Sequence, residues 1–414
     1  MWEFVVGALK EISKEVAAYL IIAIAGSIGV LAMLRKSWNW LCKNLCRGGS
    51  SEECERKLER ARTSVARDGK GLWLTIQPKA FADYESLVQH KDLKVLMIAN
   101  LKGGVGKTTI AANLGAYFAN PHGAPDRPAE RVLLIDFDFQ GSLSSMALPT
   151  TQRIPVRGEV SRAARLLLDE DKPAKLISLG QPVKGLEVFA SKGREIYFDA
   201  LPSYYDLAAI ENELMVKWLI DDYDGRDIRY NLARFITSND VRECYDRIII
   251  DAPPRLSTAH VQALCASTHV LIPTVLDPLS GEAVGTFVRQ IIDHRFIAPH
   301  VQITGVVGTM VDRHWSAPDD GSARDGPDYL LNADEALGRK AVETALEQVK
   351  DDLGLRQRPT GFLPRSSFIK DLTTLSKAAG QRIAYLDPGD NPDTRTVRAT
   401  FDRLGDEVRE RMRS

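Results

Sequence analysis

The chain has 414 residues, with 54 Lys and Arg against 55 Asp and Glu, and 44% of its residues are hydrophobic. That is the composition of a globular protein with room for two or three ordinary domains, and it excludes a collagen, a wholly disordered chain and a multi-span membrane protein. The formal net charge of -1 excludes a surface coated throughout in positive charge, and five Cys, sparse and odd in number, argue against a secreted disulfide framework.

Residues Val16 to Leu34 read VAAYLIIAIAGSIGVLAML, 19 positions without a charge. A helix of that length spans roughly 28 Å, close to the hydrocarbon thickness of a bilayer. Glu15 precedes the run, and Arg35, Lys36 and the interfacial Trp38 and Trp40 follow it. Fifteen mixed-charge residues stand before it and no A-x-A site stands after it, which argues against a cleaved signal peptide. Nineteen uninterrupted apolar residues also exceed what a buried core helix usually needs, and a buried or oligomeric helical hairpin is the alternative. The expectation is a single transmembrane helix. Lys10 and Lys14 on one flank are outweighed by Arg35, Lys36, Lys43 and Arg47 on the other, which places the C-terminal side in the cytoplasm.

Trp2, Val5, Val6, Leu9, Ile12 and Val16 recur at helical spacing. They suit a helix lying on the outer leaflet or an early start of the membrane helix, and alternatively a self-association face. Cys42 and Cys46 are read as free thiols, with acylation as the alternative. Residues 47–70 hold seven Lys and Arg and five Asp and Glu with few large apolar groups, the pattern of a solvated stalk. The chain thus divides into an anchor over 1–46, a linker over 47–91 and a catalytic domain over 92–414.

In that domain, short continuous apolar runs alternate with helical patterns: LKVLMIA (93–99), RVLLIDF (131–137), DRIIIDA (246–252), HVLIPTV (269–275) and VQITGVVGTM (301–310). Such runs predict buried strands of a doubly wound, mostly parallel α/β sheet. The first leads into Asn100, Leu101, Lys102, Gly103, Gly104, Val105, Gly106, Lys107, Thr108 and Thr109, and a helical pattern follows at once. Strand, Gly-rich loop and helix is the arrangement that cradles phosphates, because backbone N–H groups and the helix N-terminus converge on an anion. In a P-loop, Lys107 reaches the β- and γ-phosphates and the Thr108 hydroxyl ligates Mg²⁺. Leu101 stands where the common P-loop has Gly, and Lys102 supplies a second lysine.

The run KGGVGKTT (102–109) resembles the deviant Walker A motif of the ParA/MinD superfamily of P-loop ATPases. Asp136-Phe137-Asp138-Phe139-Gln140-Gly141 is similar to that family's D-x-D-x-Q-G segment, Ile248 to Pro254 to its Walker B strand and switch, and Leu201-Pro202-Ser203 with Leu207-Ala208 to its L-P-S…L-A element. Leu363-Pro364-Arg365 and Gly380-Gln381-Arg382-Ile383 resemble its I-P-R and G-x-P segments, with Arg382 where the family has Pro. These elements point to the ParA side of the superfamily. The resemblance implies that Lys102 reaches across an ATP-sandwich homodimer to the partner's phosphates and that Asp138 positions the attacking water. It further implies that Thr108, Asp136 and Asp251 serve Mg²⁺, and that Asp312 and Pro364 contact the adenine.

The remaining features are weaker. Seven His form no metal-ligand spacing, residues 316–328 read as an insertion loop, and the Arg-bearing helix from about Thr394 reads as a solvated terminal helix rather than a DNA-binding face. The implied cofactors are ATP and Mg²⁺. The expected function is an ATP-dependent dimerisation switch anchored in a bacterial inner membrane, N-terminus outside and ATPase domain in the cytoplasm, acting on an unidentified protein partner. The alternatives are a DNA-binding partition ATPase, which a permanent anchor disfavours, and an ATP-gated membrane effector.

Overall fold

The computed structural model describes residues 72–74, 93–155, 159–168, 173–178, 180–191, 193, 195–220, 227–312 and 331–413. The apolar run 16–34, the stripe at 2–16, nearly all of the linker and the 316–328 insertion lie outside the described residues. Among the described residues no helix is long and apolar enough to cross a membrane. The chain forms two compact units. The smaller comprises Met1–Ile76 with Asn212–Arg226, and the larger comprises Gln77–Glu211 with Asp227–Ser414.

The larger unit is built on one eight-stranded sheet. Its strands are β1 (Lys94–Ile98), β2 (Val132–Asp136), β3 (Gln181–Pro182), β4 (Phe198–Leu201), β5 (Arg247–Asp251), β6 (His269–Val275), β7 (Gln302–Val311) and β8 (Ile369–Lys370), in the order β3-β4-β2-β5-β1-β6-β7-β8. Every neighbouring pair is parallel except β3 with β4. All five apolar runs are strands. Residues of β2 and β5 are buried throughout, as expected of parallel strands covered on both faces.

The helices that position the site are α1 (Lys107–Ala119), α2 (Ser142–Ala147), α3 (Asp206–Ile220), α4 (Thr258–Ala266), α5 (Ser280–Asp293), α6 (Ala333–Asp352) and α7 (Pro392–Arg411). One apolar cluster joins α1 to Leu134 of β2, Phe198 of β4 and Val307 of β7, and continues into Val397, Phe401, Leu404 and Val408 of α7. The terminal helix is therefore not simply solvated. An Ala-type Cβ at Gly405 would stand 2.4 Å from the Tyr117 ring, so the absence of a side chain there lets α7 seat on α1. The arginines of α7 are bonded within their own chain. Arg409 pairs with Glu130 at 3.0 Å, Arg411 donates to the Thr304 carbonyl at 3.0 Å, and Arg403 to the Ser366 carbonyl at 2.9 Å.

The C-terminal ends of β1, β2, β5 and β6 run into the P-loop, the Asp138 turn, the Pro253-Pro254 turn and the Asp277 turn. In an open parallel sheet those ends share one edge, where ligands bind.

Candidate functional site: a P-loop facing two buried carboxylates

The P-loop leaves β1 at Ile98 and ends at Gly106, the N-cap of α1, in the left-handed region with φ 82°. Only a residue without Cβ takes that conformation cheaply, and it turns the chain straight into the helix. The first turn of a helix has N–H groups with no intrahelical partner, so α1 presents donors and positive potential at Lys107, Thr108 and Thr109. Thr309 of β7 donates from Oγ1 to the Val105 carbonyl at 3.1 Å and fixes the loop from outside. The Lys107 ammonium is nearly buried and donates to the Lys102 carbonyl at 3.0 Å. Burial pushes its pKa below the ordinary lysine range, and the Asp251 and Asp138 carboxylates pull it back. A desolvated cation inside a ring of amide donors is a receptor for an anion.

Opposite it lie two carboxylates. Asp136 ends β2, Asp251 ends β5, and the two are register partners, each 1% exposed. Asp136 accepts from the Ser144 N–H (2.8 Å), the Ser144 hydroxyl (2.6 Å) and the Asp138 N–H (3.0 Å). Burial nonetheless raises its pKa to about 6. Burial, with the Asp136 charge beside it, pushes the Asp251 carboxyl well above the usual carboxylate range, against the Thr108 hydroxyl and the Lys107 ammonium. Neither Asp251 oxygen has a geometrically sound hydrogen-bond partner. A buried carboxylate left without donors is costly, and the residues around it, Thr108 and Asp136, are hard oxygen donors. That set fits Mg²⁺ held largely through its own waters.

Asp138 is half-buried on the turn after β2. Its Oδ1 accepts the Gln140 N–H at 3.0 Å, and its carbonyl accepts the Gly141 N–H at 2.8 Å and the Ser203 hydroxyl. The Lys102 side chain is held by the turn after β6 and the start of α5. Its ammonium donates to Asp277 Oδ2 at 2.6 Å and to Ser280 Oγ at 3.1 Å, while its N–H donates to Asn100 Oδ1 at 3.0 Å. Partial burial raises the Asp277 carboxyl, but the hydrogen bonds from Lys102 and Ser280 outweigh it and hold the pKa below the usual range.

Asp312 and Pro364 both attach to β7. Asp312 follows its last residue, and its N–H donates to Glu335 Oε1 at 2.6 Å. Glu335 also closes the capping box at the start of α6. Pro364 follows Leu363, whose N–H donates to the Val306 carbonyl at 2.8 Å. Thr309, between these two attachment points on β7, is the residue that touches the P-loop.

Sequence reasoning missed Asp277, Ser280, Ser144 and Thr309, and singled out Ser203 only as part of the L-P-S element, without a role. A weak signal existed for the first two: an Asp followed three residues later by Ser, between a strand run and a helical pattern, is a turn-and-cap signature.

The profile of the AAA domain family matches residues 93–298. The chromosome partitioning protein ParA of Caulobacter vibrioides is 32% identical over 225 residues, 53% of this chain and 71% of that one. The chromosome-partitioning ATPase Soj of Treponema pallidum is 31% identical over 277 residues, 66% of this chain and 90% of that one. Among solved structures, apo McdA of Cyanothece aligns with a TM-score of 0.52 at 19% identity, covering 77% of this chain and 99% of that one. The structure of pNOB8 ParA aligns with a TM-score of 0.51 at 21% identity, covering 78% and 99%. At those identities the two structures speak to the fold alone. With relatives at this identity over most of their length, and a P-loop whose extra lysine lies at its start, the chain belongs to the ParA/MinD superfamily of P-loop ATPases.

Proposed function

We propose that the chain is a membrane-anchored, ParA-type dimerisation switch that hydrolyses ATP slowly and acts on a protein partner at a bacterial inner membrane. In this reading residues 1–46 hold it in the bilayer with the N-terminus outside, residues 47–91 form the stalk, and residues 92–414 are the ATPase in the cytoplasm. The observation that carries the switch is Lys102. Its side chain is 30% exposed, and its ammonium is held by Asp277 and Ser280 in a partly exposed pairing that is cheap to open.

Two chains closing over ATP would exchange these lysines. Each would neutralise charge developing on the partner's phosphates, as an arginine finger does. Lys107 and the amides of 103–109 bind and orient the phosphates, Asp138 takes hold of the attacking water, and Asp312 and Pro364 flank the base. Thr108, Asp136 and Asp251 would hold Mg²⁺, which when bound offsets phosphate charge. Closure of the dimer excludes bulk water and strengthens each of these interactions.

Lys102→Ala is expected to abolish both turnover and the ATP-dependent dimer, while Asp138→Ala binds ATP and accumulates as the dimer. Phosphate release and light scattering on the detergent-solubilised full chain measure the two effects. Equal turnover in Lys102→Ala would sink the trans mechanism. The names of the Caulobacter and Treponema relatives favour a second reading, a partition ATPase acting on DNA. Affinity capture with the Asp138→Ala protein and ATP separates the two readings: a membrane protein co-purifies under the first, DNA under the second.

A further inference from the structure

β1 ends at Ile98, the register partner of Leu271 on β6, and just beyond it the Ala99 N–H donates to the Leu271 carbonyl at 3.1 Å. Residues of a strand turn alternately to its two neighbours, so Pro273 is the next β6 residue that faces the β1 side, where β1 has ended. Proline suits that position, because the N–H it lacks would meet no strand there. Its carbonyl still needs a donor, and a side chain supplies it: Asn100 Nδ2 donates to the Pro273 carbonyl at 2.8 Å. Asn100 is fully buried. Its Oδ1 accepts the Lys102 N–H at 3.0 Å, two residues on, which closes an Asx-turn. The amide can take only this orientation, since a carbonyl only accepts and a backbone N–H only donates.

The Lys102 backbone is therefore held on both sides. Asn100 takes its N–H, and its carbonyl accepts from the Lys107 ammonium at 3.0 Å. Farther along the loop, Thr309 holds the Val105 carbonyl. The Lys102 side chain is bound less firmly, its ammonium resting on Asp277 and Ser280 in a partly exposed pairing. A fixed backbone below a side chain that opens cheaply is a pivot. The place and direction of that pivot decide where the ammonium can be delivered, and a misplacement of about 1 Å can cost about a hundredfold in rate.

We propose that Asn100 is a positioning residue for Lys102, tying the base of that lysine to β6 so that its side chain is aimed across the dimer. The inference rests on the reading of this chain as an ATP-driven dimerisation switch, and it deepens that reading by assigning the aim of Lys102 to a side chain outside the run 102–109. In that reading, binding ATP within one chain falls to Lys107 and the amides of 103–109, and the step across the dimer falls to Lys102. Loss of Asn100 should therefore separate turnover from ATP affinity.

The test compares Asn100→Ala with Asn100→Ser in the detergent-solubilised full chain. Both leave the Pro273 carbonyl without its donor and remove similar volume, so both should melt at a lower temperature by a similar amount. They differ in one oxygen, since a serine hydroxyl can close the same two-residue turn onto the Lys102 N–H, though more weakly. Asn100→Ala is expected to keep the ATP dissociation constant, read by equilibrium dialysis, within about threefold, while kcat falls at least tenfold and the ATP-dependent dimer weakens by a similar factor. Asn100→Ser should recover part of both losses. Turnover of folded Asn100→Ala within about twofold of the parent overturns the proposal. So does a loss of ATP affinity that matches the loss of kcat, or an Asn100→Ser protein no better than Asn100→Ala. Should neither variant fold, hydrogen exchange in the nucleotide-free parent decides: a protected Lys102 amide supports the proposal, and exchange at the rate of an unbonded amide overturns it. A parent chain that forms no dimer with ATP, or a Lys102→Ala protein with undiminished turnover, overturns the underlying switch reading instead.

Discussion

At the scale of single residues the site is a set of charges held apart from their eventual work. In the proposed switch, Lys102 leaves Asp277 and Ser280 to act on a partner's phosphates. The side chains of Lys102 and Asp277 are 30% and 36% exposed, so breaking the pair costs no more than about 1 kcal/mol. Asp277→Asn therefore should strengthen ATP-dependent dimerisation, by about fivefold at most, read as a shift of the dissociation constant in sedimentation or light scattering. A second residue-level consequence concerns acid. Burial, the leading cause in both, lowers the pKa of His260 and of His269 to about 4, and the two are 1% and 6% exposed. His260 packs edge-on against Phe287 and faces the Pro253 carbonyl, and the His269 Nε2 has no hydrogen-bond partner. An unfolded histidine titrates near 6.5, so from there down to about pH 4 the unfolded chain binds more protons than the folded one, and stability falls as pH falls. Each group accounts for up to about 3 kcal/mol over that window. The raised carboxyls of Asp136 and Asp251 act in the opposite sense, gaining stability as pH falls, so the histidine contribution is read by difference: in urea unfolding, His269→Gln should lose less stability than the parent chain between pH 6.5 and about 4.

At the scale of elements, legibility followed locality. The five apolar runs announced five strands because a strand covered on both faces must be apolar along its whole length. β3, β4 and β8 went unseen because Gln181–Pro182 and Ile369–Lys370 are two-residue pairings and Phe198–Leu201 carries an Asp; their pairing comes from neighbours, not from composition. The P-loop was legible as one contiguous segment. The partners of Lys102 were not, since Asp277 lies 175 residues away and only the order of β1 and β6 in the sheet makes them neighbours. The terminal helix looked solvated because arginines dominate its composition, yet its apolar stripe is what closes over α1. That packing yields a sharp expectation. Gly405→Ala gains about 1 kcal/mol of helix propensity but drives a methyl into the Tyr117 ring, and overpacking of this kind costs about 1–3 kcal/mol. Thermal melting should therefore shift downward, with the same substitution at the exposed Gly380 turn, φ 70°, acting through backbone strain alone as a comparison.

At the scale of the whole molecule the proposed switch turns on where ATP-driven closure would take place. A chain released by hydrolysis and free to diffuse can redistribute over a surface, whereas one fixed by 19 apolar residues can only change what it holds locally. The arginines of α7 argue in the same direction. Phosphate recognition needs cations free to shed their counterions. Arg395, Arg398, Arg403, Arg409 and Arg411 are each engaged by an acidic side chain or a carbonyl of their own chain. In the proposed reading the anchor is separable from the chemistry, because the P-loop and both carboxylates lie far beyond it in sequence. Two arginines placed in the middle of the run, Ile22→Arg with Ile24→Arg, each oppose insertion by about 2.5–3.5 kcal/mol and should release the chain from membranes. The expected result is a protein that no longer resists carbonate extraction yet binds ATP as before, because nothing in the phosphate cradle has been touched. Protease added to intact spheroplasts should leave the ATPase domain of the parent chain uncut and reach it only after lysis. Retention of the doubly substituted chain in the membrane pellet would instead place its attachment outside residues 16–34.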